Sequence, residues 1–229
     1  EISKLSSSNT EQIKSIFKFL DNFLNFIKSF VLRDTLFNIS DLKLPGKHNQ
    51  QNLLLVTAAA RKIGLKPIQI STALKTFKGV PHRLEEIGTI KSIQIFNDSK
   101  ATNYASAKTG LQAMKAPVIV IAGGQAKKGN ASEWVEELRE KAFALVLFGE
   151  SANELERLAI KHGFTRNIYT CKGLIDSTKL SIQLAIKNDA KSILLSPGCA
   201  SFDQFQDFED RGNQFRKIVK SFCEDDWLD

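Results

Sequence analysis

The chain has 229 residues, 42% hydrophobic and 25% charged, and its 32 Lys and Arg against 25 Asp and Glu give a net charge of +7. This composition is typical of folded soluble domains and excludes a collagen-like, coiled-coil or wholly disordered chain. No apolar run approaches the roughly 18 residues of a membrane span, and residues 1–10 lack the features of a signal peptide, so we expect a cytoplasmic protein without a membrane partner.

The excess positive charge lies in the first third of the chain. Residues 1–82 hold 12 Lys and Arg against 5 Asp and Glu, whereas residues 83–229 hold 20 of each. No aromatic residues are interleaved with the basic ones in a stacking pattern, so nucleic-acid binding is not predicted. The three cysteines form no C-x-x-C pair and the three histidines show no ligand spacing, so no metal site is predicted.

Residues 1–82 are predicted to be mainly helical. Apolar residues between positions 13 and 27 fit one face of a helix. Asn49 can cap a second helix that stops at Gly64, and a shorter helix covers about residues 67–77. Because so few helices make a thin core, this segment is predicted to be the tail of a larger domain.

Residues 83–229 alternate between short apolar runs and segments of helical period, and the turn at residues 79–82 marks the boundary. The predicted strands cover residues 93–96, 118–122, 144–148, 168–169 and 193–195, and the predicted helices cover residues 105–114, 132–142, 153–162, 176–187 and 208–222. Five such repeats imply an α/β domain with a doubly wound, Rossmann-like and mostly parallel sheet.

Ligands of open parallel sheets bind at the carboxyl ends of the strands, and this rule selects the loops there. In the first loop Asp98, Lys100 and Thr102 occupy alternate positions, where a carboxylate could hold sugar hydroxyls and an ammonium could hold a phosphate. The same residue types are also ordinary in a cap between a strand and a helix. Both interpretations stay open on the residues alone.

The glycine-rich loop at residues 123–129 matches neither the G-x-x-x-x-G-K-[ST] nor the G-x-G-x-x-G phosphate-binding pattern. Lys127 or Lys128 could still balance an anion there, or the loop could be a tight turn with solvated lysines. Residues 196–201 could be a turn and cap, or hydroxyl donors for a carboxylate. Arg83 follows the predicted boundary, where it could stabilise a transferring phosphoryl group or form a surface salt bridge.

Several sequence strings together resemble the Mur ligases. They are LPGKHN at residues 44–49 with Asn52, VPHRLE at 80–85, NDSKATN at 97–103, Gly123-Gly124 with Lys127, and LSPGCASFDQF at 195–205 with Arg211-Gly212. The resemblance covers about residues 42–219, and residues 1–41 carry none of it. It implies that residues 1–82 are the carboxyl-terminal part of a central ATPase domain and that residues 83–229 are the family's carboxyl-terminal domain.

The resemblance also implies an activity. It is ATP-dependent ligation of D-glutamate to UDP-N-acetylmuramoyl-L-alanine through an acyl phosphate, in peptidoglycan synthesis. By resemblance, Asn49 and Asn52 would approach adenine and Asp98 the ribose, Arg83 and Lys100 would act on the phosphates or the acyl phosphate, and Thr102, Lys127, Ser201, Phe202 and Phe208 would hold D-glutamate.

Two departures from the family pattern affect these expectations. Gln125 stands where many relatives carry an acidic residue. The uridine-nucleotide domain, the phosphate-binding loop and the Mg²⁺ ligands would lie outside this chain, so we expect that the chain alone does not turn over ATP.

Three alternatives stay open. The first is a sibling Mur or folylpolyglutamate-type ligase, which a preference for L-glutamate would favour. The second is a non-catalytic small-molecule binding module, and the third, a dinucleotide oxidoreductase, is disfavoured by the absence of G-x-G-x-x-G. We expect a monomer.

Overall fold

The computed structural model describes residues 45–224, which divide into two compact units between Lys78 and Gly79. The predicted helix over residues 13–27 lies outside the described residues. None of the helices in the described range is long and apolar enough to cross a bilayer.

The first unit contains helices α1 (Lys47–Lys62) and α2 (Pro67–Thr76). Their small core joins Leu53 of α1 to Ile70 and Leu74 of α2. The predicted cap at Asn49 is wrong, because α1 begins at Lys47 and the Asn49 amide instead donates to the carbonyl of Pro45 at 2.6 Å.

The second unit is built on a six-stranded sheet in the order β1-β2-β6-β3-β4-β5, in which β1 is antiparallel to β2 and the other pairs are parallel. The mostly parallel α/β architecture predicted from the sequence is confirmed. The strands are β1 (Glu85–Ile90), β2 (Ile93–Asn97), β3 (Val118–Gly123), β4 (Ala142–Phe148), β5 (Asn167–Thr170) and β6 (Ser192–Leu195). The helices are α3 (Tyr104–Gln112), α4 (Ser132–Lys141), α5 (Ala152–Lys161), α6 (Leu174–Lys187) and α7 (Phe208–Glu224).

The sequence analysis did not predict β1. This edge strand is half-exposed and carries two glutamates, so it lacks the apolar run that marks the other strands. It joins β2 through Lys91 and Ser92, both at positive φ, which is the geometry of a two-residue hairpin. Neither residue is a glycine or an asparagine, so the usual sequence signal of such a turn is absent.

Successive side chains of each strand point to opposite faces of the sheet and so form two core layers. Val118 and Val120 of β3 belong to the layer covered by α3, α4 and α5, whereas Ile119 and Ile121 belong to the layer covered by α6 and α7. All six residues of β3 are buried. A strand with helices over both faces has no polar side, which explains its uninterrupted apolar sequence.

The last strand, β6, lies between β2 and β3 in the sheet. The helices that follow β2 and β3 cover one face, and the helix that follows β6 covers the other. The chain therefore leaves adjacent strands in opposite directions, which opens a crevice at their carboxyl ends. The three loops after β2, β6 and β3 meet at this crevice.

Candidate functional site

The loop after β6 is hydrogen-bonded to the loops on both sides of it. Gly198 donates its amide to the carbonyl of Ala101, in the loop after β2, at 2.9 Å. Gln125, in the loop after β3, exchanges two backbone hydrogen bonds with Ala200, at 2.9 and 3.0 Å. The three loops therefore form one continuous surface.

Two consecutive glycines, Gly123 at the end of β3 and Gly124 directly after it, are required by this close packing. Both have positive φ values, 136° for Gly123 and 128° for Gly124. A Cβ at Gly123 would lie 1.9 Å from the carbonyl oxygen of Phe148, and one at Gly124 would lie 2.2 Å from that of Ala200. In this structure the glycines thus allow contact between loops, and no phosphate is needed to explain them.

Arg211 is fully buried on α7 and links all three loops. Its guanidinium donates to the hydroxyl and the carbonyl of Ser99 at 3.0 and 2.9 Å, to the carbonyls of Cys199 and Ala200 at 3.2 Å, and to that of Gly123 at 3.4 Å. Burial lowers the pKa of Arg211 to about 10, so the side chain stays charged near neutral pH.

The sequence analysis assigned no role to Arg211. The signal that could have found it is its spacing, since Arg211, Phe215 and Val219 follow one another at four-residue intervals and all are buried. An arginine in the apolar stripe of a helix needs several acceptors inside the protein. Here, those acceptors are mostly backbone carbonyls at the carboxyl ends of strands.

Asp98 follows β2 and points into the protein. Its two oxygens accept hydrogen bonds from the amide of Leu84 at 3.2 Å and from the hydroxyl of Ser196 at 2.9 Å. Burial raises the pKa of Asp98 to about 7, although both hydrogen bonds and the charge of Arg83 act in the opposite direction. A contact with a ribose would therefore use the remaining lone pairs of a carboxyl that is only partly ionised near neutral pH.

The two cations predicted to bind phosphate, Arg83 and Lys100, differ in their surroundings. Arg83 is exposed, and among residues 45–224 its guanidinium has no hydrogen-bond or ion-pair partner. Lys100 is half-buried, and its ammonium lies 3.6 Å from the centroid of the Phe208 ring, a cation–π contact. Thr102, two residues further on, is half-buried and donates its amide to the carbonyl of Lys100 at 2.9 Å.

Three of the other predicted D-glutamate ligands lie on the bridged loops, and the fourth, Phe208, is the first residue of α7. Lys127 is exposed, two residues beyond the bridge at Gln125, and within the described range it forms no ion pair. Ser201, the residue after Ala200, is buried, whereas the Phe202 side chain is 67% exposed. The structure thus brings Lys127, Ser201 and Phe202 to the same crevice as the loop after β2.

Asn49 and Asn52 belong to the first unit. They lie three residues apart on α1, so they share one side of that helix. Asn49 is half-buried and Asn52 is exposed. Among residues 45–224, no group of three or more His, Cys, Asp and Glu side chains is arranged to hold a metal ion.

Comparison with known proteins identifies relatives of this chain. Residues 82–199 match the Mur ligase, glutamate ligase domain. A UDP-N-acetylmuramoylalanine--D-glutamate ligase of Synechococcus sp. (strain CC9605) is 50% identical over 190 residues, which are 83% of this chain and 41% of that protein. A protein of the same name from Synechocystis sp. is 45% identical over 196 residues, 86% of this chain and 42% of that one. The chain thus spans about two fifths of the length of these relatives.

Solved structures share the fold. UDP-N-acetylmuramate-alanine ligase of Thermotoga maritima superposes with a TM-score of 0.57 at 20% identity, over 79% of this chain and 40% of that one. A folylpolyglutamate synthase of Mycobacterium tuberculosis gives a TM-score of 0.56 at 17% identity, over 81% and 42%. At these identities the likeness concerns architecture alone.

Proposed function

The chain belongs to the Mur ligase family, and we propose that it is the part of an ATP-dependent ligase that binds D-glutamate and presents it to an activated carboxylate. The activated substrate would be UDP-N-acetylmuramoyl-L-alanine, phosphorylated by ATP. Residues 1–82 would be the tail of the ATPase domain and residues 83–229 the carboxyl-terminal domain. The proposal extends to this chain the reaction named for its relatives at 50% identity.

The bridge between Gln125 and Ala200 is the observation that carries the proposal. It joins the loop with an exposed Lys127 to the loop with Ser201, next to the loop with Thr102. A dicarboxylate needs cations and hydroxyl or amide donors on one surface, and these loops offer both. Its amine would then be left free to attack an acyl phosphate.

A second group of cations is suited to phosphoryl groups. Arg83 and Lys100 supply two positive charges, and Arg211 adds a buried one beneath the loops. Fixed positive charges stabilise the charge that develops on a phosphoryl group during transfer. In this proposal Asn49 and Asn52 contact adenine and Asp98 the ribose. As the family resemblance implies, the Mg²⁺ that this reaction uses would be held by residues outside this chain.

Binding of D-glutamate tests the proposal on the chain itself. We expect D-glutamate to shift the amide resonances of residues 100–102, 125–127 and 200–202, and L-glutamate to act only at higher concentration. Lys127→Ala should weaken binding about tenfold or more, since one charge-assisted contact is lost. Lys128→Ala is the matched control, because this neighbouring lysine is equally exposed. Equal effects of the two substitutions would remove Lys127 from the site.

Ligation is tested in the longer protein that contains this chain. We expect phosphate release that requires ATP, UDP-N-acetylmuramoyl-L-alanine and D-glutamate together. Faster turnover with L-glutamate would favour a sibling Mur or folylpolyglutamate-type ligase. Stereospecific D-glutamate binding without any ligase activity would favour a binding module.

A further inference from the structure

His82 stands in the short segment that leads into β1, and its main chain is fixed at both ends. It is buried and has a φ of 62°, unusual for a residue other than glycine. Its amide donates to Oε2 of Glu85 at 3.0 Å, and its carbonyl accepts the amide of Lys100 at 3.0 Å. The backbone of His82 is therefore joined directly to that of Lys100.

The imidazole of His82 is held by a second set of contacts. Nδ1 of the ring lies 3.1 Å from Nδ2 of Asn97, which also donates to the carbonyl of Gly212 at 3.2 Å. Because the Asn97 amide donates, Nδ1 accepts and the proton of the neutral ring is on Nε2. Burial lowers the pKa of His82, which agrees with a neutral ring. A Cβ at Gly212 would lie 2.2 Å from Nδ1, so the glycine leaves room for the imidazole.

The same imidazole supports the side chain of Lys100. The His82 ring packs edge-on against Phe208, with centroids 6.1 Å apart and planes at 80°. The face of Phe208 carries the Lys100 ammonium at 3.6 Å. His82 thus contacts Lys100 through a backbone hydrogen bond, and it supports the Lys100 ammonium through the Phe208 ring. The residue that follows His82 in the chain is Arg83.

We propose that His82 is a positioning residue that holds the Lys100 charge in place for phosphoryl transfer, in the same segment that carries Arg83. This inference rests on the proposed function, because it assumes that both cations act on the phosphoryl group. It goes further in assigning a task to a buried residue that the proposed function leaves without one. Of the residues proposed to hold D-glutamate, His82 contacts Phe208 alone, through its ring, so a variant that keeps a ring at this position should leave D-glutamate binding nearly unchanged.

The test uses His82→Phe and His82→Asn in the longer ligase. His82→Phe keeps a ring against Phe208 but removes the acceptor for Asn97, and we expect kcat to fall about tenfold while KM for D-glutamate changes less than about twofold. His82→Asn places an oxygen close to the position of Nδ1 but removes the ring from Phe208, so it should recover only part of the lost kcat, about threefold above His82→Phe. His162→Asn, a half-buried histidine at the end of α5, is the control and should leave kcat unchanged.

Two results would overturn the proposal. One is an unchanged kcat in His82→Phe, and the other is an equal loss of kcat and of D-glutamate affinity, which would indicate a purely structural role. If His82→Phe does not fold, the ¹⁵N shifts of the imidazole in the unaltered chain decide the matter, since a protonated Nδ1 at neutral pH contradicts the hydrogen bond from Asn97. A wild-type ligase without activity would instead refute the proposed function.

Discussion

Replacement of Asp98 by asparagine should remove a large part of the pH dependence of stability. The Asp98 carboxyl is buried, and its pKa rises from 3.8 to about 7 on folding. A raised pKa means that the folded state binds the proton more tightly than the unfolded state. The stability that this carboxyl contributes is therefore complete below pH 4 and is lost as the pH rises through about 7.

The size of the effect follows from this difference in pKa. At about 1.4 kcal/mol for each pKa unit, the wild type should lose about 4 kcal/mol relative to Asp98→Asn between pH 4 and pH 8. The asparagine can keep both contacts, since its oxygen can accept from Leu84 and its amide can donate to the Ser196 hydroxyl. The substitution therefore removes the charge and keeps the local hydrogen bonds.

Urea denaturation of the chain, followed by circular dichroism at several pH values, measures this difference. Other titrating groups are present in both proteins, so their contributions cancel in the difference between the two free energies of unfolding. Asp189→Asn is the control, because this carboxyl is exposed and asparagine tolerates the φ of 51° there. This substitution removes the same charge from the surface without changing a buried contact.

A constant difference between wild type and Asp98→Asn would refute the reasoning, since it would mean that burial does not raise the pKa of this carboxyl. A difference of opposite sign would mean that the charge of Arg83 and the two hydrogen bonds outweigh desolvation. Either result would also change the proposed contact with ribose, because the carboxylate would then be fully ionised near neutral pH.

Two further substitutions test the packing beneath the loops. Gly212→Ala should lower the free energy of unfolding, measured by urea denaturation, by about 1–3 kcal/mol, because the new methyl group would overlap the His82 ring. Gly129→Ala is its control and should cost less than about 1 kcal/mol, because a Cβ there meets only the Tyr104 ring, at 3.4 Å. Arg211→Met should lower the free energy of unfolding by about 3 kcal/mol or more, because the carbonyls of three loops lose their donor. Arg216→Met is its control and should cost about 1 kcal/mol, because it breaks a half-exposed ion pair with Glu85. Equal losses within either pair would contradict the assigned contacts.

Local sequence pattern was sufficient to predict most of the second unit. The apolar run of β3 and the helical periods around it follow from burial on both faces of the sheet, which each segment records in its own residues. The same pattern placed the candidate ligands at the carboxyl ends of strands. The hairpin strand β1 was missed because an edge strand is exposed and needs no apolar run.

The sequence by itself determined the class of fold and selected the loops that carry the candidate ligands. Only the tertiary structure decided that β6 lies between β2 and β3, that Gln125 pairs with Ala200, and that Arg211 is buried beneath both loops. It also decided that Asp98 points inward. The physical reason is range. Periodicity reports the environment of a residue within a few positions, whereas the pairing of Gln125 with Ala200 and the contacts of Arg211 with Gly123 and Ser99 join residues about 75 to 110 positions apart. Such pairing depends on how the whole chain packs.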